Sequence, residues 1–278
     1  MNEEKQSVTN NDEHEEQLGE FILPIDEHVE EVAENGRKVR RRGVYLLPNL
    51  FTTAALFCGF YSAVAAMQFK FEHAAIAIFV AMILDGLDGR VARLTNTQSA
   101  FGAEYDSLSD MIAFGFAPAI LCYSWTLHSL GKAGWMVAFI YVACTALRLA
   151  RFNTQISSSD KRYFTGLPCP SAAAVVTGMT WVCTDFGLYP AEPGVSILAA
   201  LITAGVGILM VSNVRYHSFK DLDFKGRVPF VMIFALVLIF AVASIDPPKT
   251  LLSVFMIYAT SGPALALWRL WKRSKTAS

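Results

Sequence analysis

Eight apolar stretches, at residues 44–68, 73–95, 101–127, 133–152, 170–187, 194–214, 229–245 and 250–270, account for most of this 278-residue chain. A helix needs about 20 residues to cross a hydrocarbon core of about 30 Å, and most of the stretches are near that length. They predict an all-α integral membrane protein of about eight transmembrane helices, with the seventh stretch short enough to be tilted or interfacial. Charge follows the same division. The first 43 residues hold 12 of the 24 acidic and 6 of the 23 basic side chains. The remainder is too poor in charge to coat a water-soluble fold, but it suits a bundle solvated by lipid. A net charge of −1 averages an acidic tail against basic loops and gives no support for nucleic-acid binding. Cys58, Cys122, Cys144, Cys169 and Cys183 form no CxxC pair, and they read as small buried thiols, not as a disulfide or metal framework. No cleavable signal peptide is expected, because the first apolar stretch follows a long acidic leader.

Residues 1–35 are acidic and lack sustained periodicity, which predicts a disordered tail with at most a short helix near Phe21–Val32. The juxtamembrane segment 36–43 carries Arg37, Lys38, Arg40, Arg41 and Arg42. It reads either as an interfacial basic helix on anionic lipid or as the topology signal of a membrane protein, and the second is preferred. If all eight stretches cross, both termini share one side. Only Lys70, Lys132 and Lys249 then fall on the opposite side, against 20 of 23 basic residues with the termini. The positive-inside bias makes the terminal side cytoplasmic.

Twelve acidic residues lie beyond residue 43. Glu72, Asp160, Asp185, Glu192, Asp221, Asp223 and Asp246 fall in predicted loops, whereas Asp85, Asp88, Glu104, Asp106 and Asp110 concentrate in the second and third helices. A carboxylate inside a membrane helix costs at least a few kcal/mol unless it is paired or faces a polar cavity. Asp85 and Asp88 are spaced i, i+3, with Gly89 and Ala92 on the same side; Gly102, Asp106 and Asp110 follow i, i+4, i+8. Counted outward from a connecting turn near residue 98, at about 1.5 Å per residue, Asp88 is level with Asp106 and Asp85 with Asp110. Four converging carboxylates require cations, and ligation by oxygen alone selects hard divalent ions, Mg²⁺ or Mn²⁺. Two such ions balance four charges. The faces carry no His or Cys, which argues against zinc or iron. Two-metal sites suit phosphoryl chemistry, and the glycines leave room for a nucleotide or a phosphate chain. A cation-coupled transporter using the same acids is the rival reading.

The run from Asp85 through Gly86, Asp88, Gly89 and Ala92 to Arg93, with Gly102, Asp106 and Asp110 after it, resembles the complete signature of the CDP-alcohol phosphotransferase family. Leu47-Pro48-Asn49, Phe57-Cys58-Gly59-Phe60 and the runs Ala146 to Asn153, Tyr163 to Pro170 and Ser212 to Asp221 are similar to the membrane-embedded branch whose acceptor is L-serine. The resemblance covers residues 43–228, implying a catalytic bundle over 44–228 and an additional C-terminal transmembrane hairpin and basic tail over 229–278. It implies that Asp85, Asp88, Asp106 and Asp110 bind the two divalent cations and that Asp110 is the general base. Gly89, Ala92, Arg93 and Gly102 then line the CDP moiety, with Ser99 as a further hydroxyl for the nucleotide. Arg90 reads as a topology charge and Glu104 as an interfacial residue.

The expected reaction is transfer of the phosphatidyl group of CDP-diacylglycerol to serine, with release of CMP. A serine carboxylate calls for a guanidinium, which makes Arg148 and Arg151, with Asn153, the serine-binding candidates, although both arginines also obey the positive-inside pattern. The stretch Tyr163 to Pro170 reads as an ordered loop over the acceptor pocket, and Arg215 and Lys220, near His217, read either as further acceptor contacts or as headgroup anchors, the second preferred. Glycerol 3-phosphate, inositol or another alcohol is the alternative acceptor. A homodimer is implied by the resemblance only.

Overall fold

The computed structural model describes residues 29–34, 37–42, 46–95, 99–155, 163–188, 193–217 and 245–276. Helices α1 (Leu46–Met67) and α2 (Phe71–Leu94) form the first hairpin, joined by a tight turn in which Phe69 takes a positive φ of 59°. Helix α3 (Ala100–Asp110) runs through a π-helical turn, Met111–Phe116, into α4 (Ala117–Trp125). A 3₁₀ turn at Leu127–Leu130 leads to α5 (Lys132–Gln155), followed by α6 (Cys169–Asp185), α7 (Pro193–Val211) and α8 (Pro247–Thr276). Six of the predicted apolar stretches and the last one therefore coincide with helices. The seventh, 229–245, lies almost wholly outside the described residues.

Among the described residues, four helical spans are long and apolar enough to cross a membrane: Pro48–Met67, Phe101–Trp125, Lys132–Thr154 and Pro193–Val211. Helix α2 has the length, at 24 residues, but is interrupted by Asp85, Asp88, Arg90 and Arg93; α6 has only 17 residues. Outward-facing Phe57, Phe60, Phe139, Leu201 and Ile257 are each more than 60 % exposed, the pattern of a surface wetted by acyl chains and not by water. Small side chains let α6 pack at the centre of the core. Ala172, Ala173, Ala174, Val175 and Val176 of α6 are fully buried among neighbouring helices. Hydroxyl pairs add to the packing: Ser196 of α7 meets Thr126 and Ser129, each at 2.9 Å, the kind of polar contact that joins helices where hydrophobicity cannot.

The π-helical turn has a local cause in Pro118. Proline has no N–H to offer the carbonyl four residues back, so the Phe114 carbonyl loses its helical donor, and Ala117 N–H instead reaches Ile112 O, five residues back. Two glycines permit close approaches that any side chain would block. A Cβ on Gly59 of α1 would stand 2.7 Å from Ala113 Cα in the π-helical turn, and one on Gly166 would stand 2.1 Å from Met210 O. Gly166, at φ +82°, follows β3 (Tyr163–Thr165), which pairs antiparallel with β4 (Arg215–His217). This small ladder ties the α5–α6 connection to the chain leaving α7. The expected ordered loop is thus in part a strand. Lys220 lies outside the described residues.

The N-terminal segment differs from its expectation. Within the tail expected to be disordered over 1–35, and in place of the end of the short helix allowed there, Val29–Glu34 is a strand, β1. Strand β2 (Arg37–Arg42) removes the interfacial-helix alternative at 36–43 and has no bearing on the preferred topology signal. The two strands pair antiparallel, with Glu34 opposite Arg37, Glu31 opposite Arg40 and Glu30 opposite Arg41. Asn35-Gly36 lies between them, the dipeptide that best suits a two-residue hairpin, and the register sets an acidic strand against a basic one. These signals outweigh the weak helical periodicity. Residues 1–28 lie outside the described set.

Candidate active site

Three helices supply the polar groups of the site. Asp85 and Asp88 come from the last turns of α2, and Asp106 and Asp110 from α3. One ligand oxygen each from Asp85, Asp88 and Asp106 falls within 4.8 Å of the others. The carboxyls of Asp85 and Asp110 stand close enough to interact directly. All four side chains therefore meet between α2 and α3, with Asp85 against Asp110 as the depth count paired them. No described basic residue forms an ion pair with any of the four; the described ion pair, Lys249 with Asp246, joins the start of α8 far along the chain.

The cluster is held in place by α1. Thr52 Oγ1 donates to Asp88 Oδ2 at 2.8 Å, and Asp88 is only 4 % exposed. The Thr52 backbone carbonyl accepts from Ser109 Oγ at 3.0 Å, so one residue of α1 touches both carboxylate-bearing helices. Thr53 Oγ1 and Tyr105 Oη lie 2.9 Å apart one position further on. Asp106 Oδ1 is buried with no hydrogen-bond partner. A buried carboxylate oxygen without a donor is costly. Such an oxygen, among oxygen ligands with no balancing side-chain cation, is what a hard divalent ion needs, and the donor set fits a metal ion of that kind.

Clearance beside the carboxylates comes from α2. A Cβ on Gly86 or Gly89 would meet nothing within 4 Å, and Gly89 is exposed. Gly102 behaves differently: a Cβ there would lie 3.1 Å from Ser99 Oγ and 3.5 Å from Asn49 Oδ1. Ser99 is the N-cap of α3, its Oγ accepting from Gly102 N–H at 2.9 Å. Arg93 Nε is bonded to Gly89 O of its own helix at 2.8 Å, and Ala92 is half-buried beside it. Arg90 and Glu104 are exposed.

The serine-binding candidates separate. Arg148 donates from Nη1 to Cys169 Sγ at 3.1 Å, while its Nε is buried and has no partner. Arg151 is engaged at the exit of α7, with Val211 O at 3.3 Å and Asn213 Oδ1 at 2.8 Å. Asn153 Nδ2 donates to Ser107 Oγ at 3.0 Å, next in sequence to Asp106. Thr52, Asn49 and Ser109 were not singled out from sequence. Asn49 belongs to the run Leu47-Pro48-Asn49, and a hydroxyl one turn further along the same helix is a signal too common to isolate.

Fold and site together define a helical integral membrane protein with a nest of oxygen ligands between its spans. The family model described as CDP-alcohol phosphatidyltransferase matches residues 45–211, and the chain belongs to that family. It is 42% identical over 213 residues to a CDP-diacylglycerol–serine O-phosphatidyltransferase of Helicobacter pylori, covering 77% of this chain and 87% of that protein. Proteins of the same name from Bacillus subtilis (36% over 174 residues, 63% of this chain and 91% of theirs) and Methanocaldococcus jannaschii (37% over 185 residues, 66% and 80%) are also similar.

Proposed function

We propose that this chain transfers the phosphatidyl group of CDP-diacylglycerol to the hydroxyl of L-serine, giving phosphatidylserine and CMP. The observation that carries this reading is the meeting of Asp85, Asp88, Asp106 and Asp110 between two helices, in a family whose matched relatives bear the name of that reaction.

The serine oxygen forms a bond to the phosphorus that carries the diacylglycerol, the bond from that phosphorus to the CMP oxygen breaks, and the serine proton goes to the Asp110 carboxylate as general base. Asp85, Asp88, Asp106 and Asp110 would hold two divalent cations, Mg²⁺ or Mn²⁺, which when bound supply positive charge to the diphosphate and to the departing CMP. Thr52 fixes the rotamer of Asp88. Gly86 and Gly89 leave the space over α2 free for the nucleotide, with Ala92, Arg93 and Gly102 along its edge and Ser99 shaping the start of α3. The acyl chains stay in the bilayer between helices. Arg148 is the first choice for the serine carboxylate, since its Nε has no partner of its own, whereas Arg151 serves the α7 exit and Asn153 orients Ser107.

The catalytic bundle spans 44–228, with the C-terminal hairpin as an addition. Eight crossings put both termini and the site on the cytoplasmic side, as the basic residues favour. The assembly is a homodimer by family likeness. Incubating membranes that contain the protein with CDP-diacylglycerol and a panel of alcohols tests the assignment. Serine should support CMP release; release only with glycerol 3-phosphate or inositol would reassign the acceptor, and none with any alcohol would favour a transporter.

A further inference from the structure

We infer that Tyr141 is a positioning residue that grips the π-helical turn after Asp110 and so aims the Asp110 carboxyl, an inference that rests on the proposed role of Asp110. Tyr141 lies on α5, is fully buried, and donates its hydroxyl to Phe114 O at 2.9 Å. That carbonyl is the one Pro118 leaves without a helical donor. A buried phenol and an orphaned carbonyl, each costly alone, satisfy one another.

The grip continues along the same face of α5. Thr145, one turn on, packs its methyl 3.1 Å from where a Cβ on Gly115 would stand, and its hydroxyl returns to Tyr141 O at 3.0 Å. From the other side Gly59 lets α1 press against Ala113. The turn is thus held between α1 and α5, and Asp110 is the residue immediately before it. An extra residue in a helical turn rotates the preceding segment by about 100° relative to the following one. The carboxylate face of α3 can therefore turn toward α2 while α4 keeps Ala117, Leu121 and Trp125 in the core. A π-helical turn has poorer hydrogen-bond geometry than the α-helix and recurs at functional sites; this one adjoins a proposed base.

The test is a double-mutant cycle on purified protein in detergent. Tyr141→Phe should lower kcat about 10-fold or more while leaving KM for CDP-diacylglycerol and for serine within about twofold. Amide exchange across 111–117 should quicken in Tyr141→Phe and not in Asp110→Asn. Added to Asp110→Asn, Tyr141→Phe should cost no further activity, because it acts through the carboxyl already lost. Fully additive losses, unchanged exchange, or a wild-type kcat in Tyr141→Phe would each overturn the inference. A wild-type rate in Asp110→Asn would instead remove the base assignment, a separate failure. Should Tyr141→Phe not fold, Pro118→Ala tests the same turn: its new N–H competes for Phe114 O, and kcat should fall with the monodisperse elution profile kept. An unchanged kcat there overturns the inference as well.

Discussion

Helices α2 and α6 both depart from the four plainly apolar spans, and for opposite reasons. Twelve residues of the 17-residue α6 are buried, against six of 24 in α2. Glycine marks the difference. On α6 Gly178 lets α8 come close, and a Cβ there would lie 3.2 Å from the Leu252 side chain. On α2 Gly86 and Gly89 adjoin open space, while the buried residue among them is a carboxylate, Asp88. One helix uses small residues to exclude everything; the other uses them to admit something. Stability and chemistry are thereby assigned to different helices, and substitutions should separate them.

The largest expected effect is on the chemistry. Removing divalent cations with a chelator should abolish CMP release and Mg²⁺ or Mn²⁺ should restore it, and the unfolding midpoint in detergent should fall as well, because ions that bind only the folded chain stabilise it; full activity in chelator would refute the carboxylate argument. Asp110→Asn should follow, lowering kcat by about 10²- to 10⁴-fold with the protein still eluting as a folded species. On α6 the pattern reverses. Gly178→Leu overpacks the α8 contact and should cost about 1–3 kcal/mol of stability, read as a lowered thermal midpoint, while the protein that remains folded keeps its KM values. Thr52→Val removes the donor to Asp88, and a charge-assisted bond worth about 1.5–3 kcal/mol translates to roughly a tenfold or greater loss of turnover. Smallest is Gly86→Ala, which meets no neighbour and should change stability by no more than about 1 kcal/mol, in the favourable direction expected for a helix interior. A large destabilisation there would mean that α2 is packed like α6 after all.

Much of this was readable from the chain. Helix positions followed from apolar length, and the meeting of Asp85 with Asp110 followed from counting residues back from the turn, because the rise per residue is constant. What escaped depends on partners distant in sequence. Nothing local announces that Thr52 meets Asp88, 36 residues away, or that Arg151 reaches Asn213, 62 residues away. Two other features do have a local signature: Asn35-Gly36 stands between the strands of the β1–β2 hairpin, and Pro118 lies inside the apolar run whose helix carries the π-helical turn. Ser99 caps α3, a role its position just before an apolar helix suits, and its O–H is left to donate elsewhere.

Thr52 has a consequence beyond the bond it makes. Its side chain holds α2 and its main chain holds α3, so the first helix acts as a common axle for both banks of carboxylates. A sliding or tilting of α1, whether from membrane thickness or from whatever seats the segment ahead of it, would move the two banks together and alter their alignment without touching a single acidic residue.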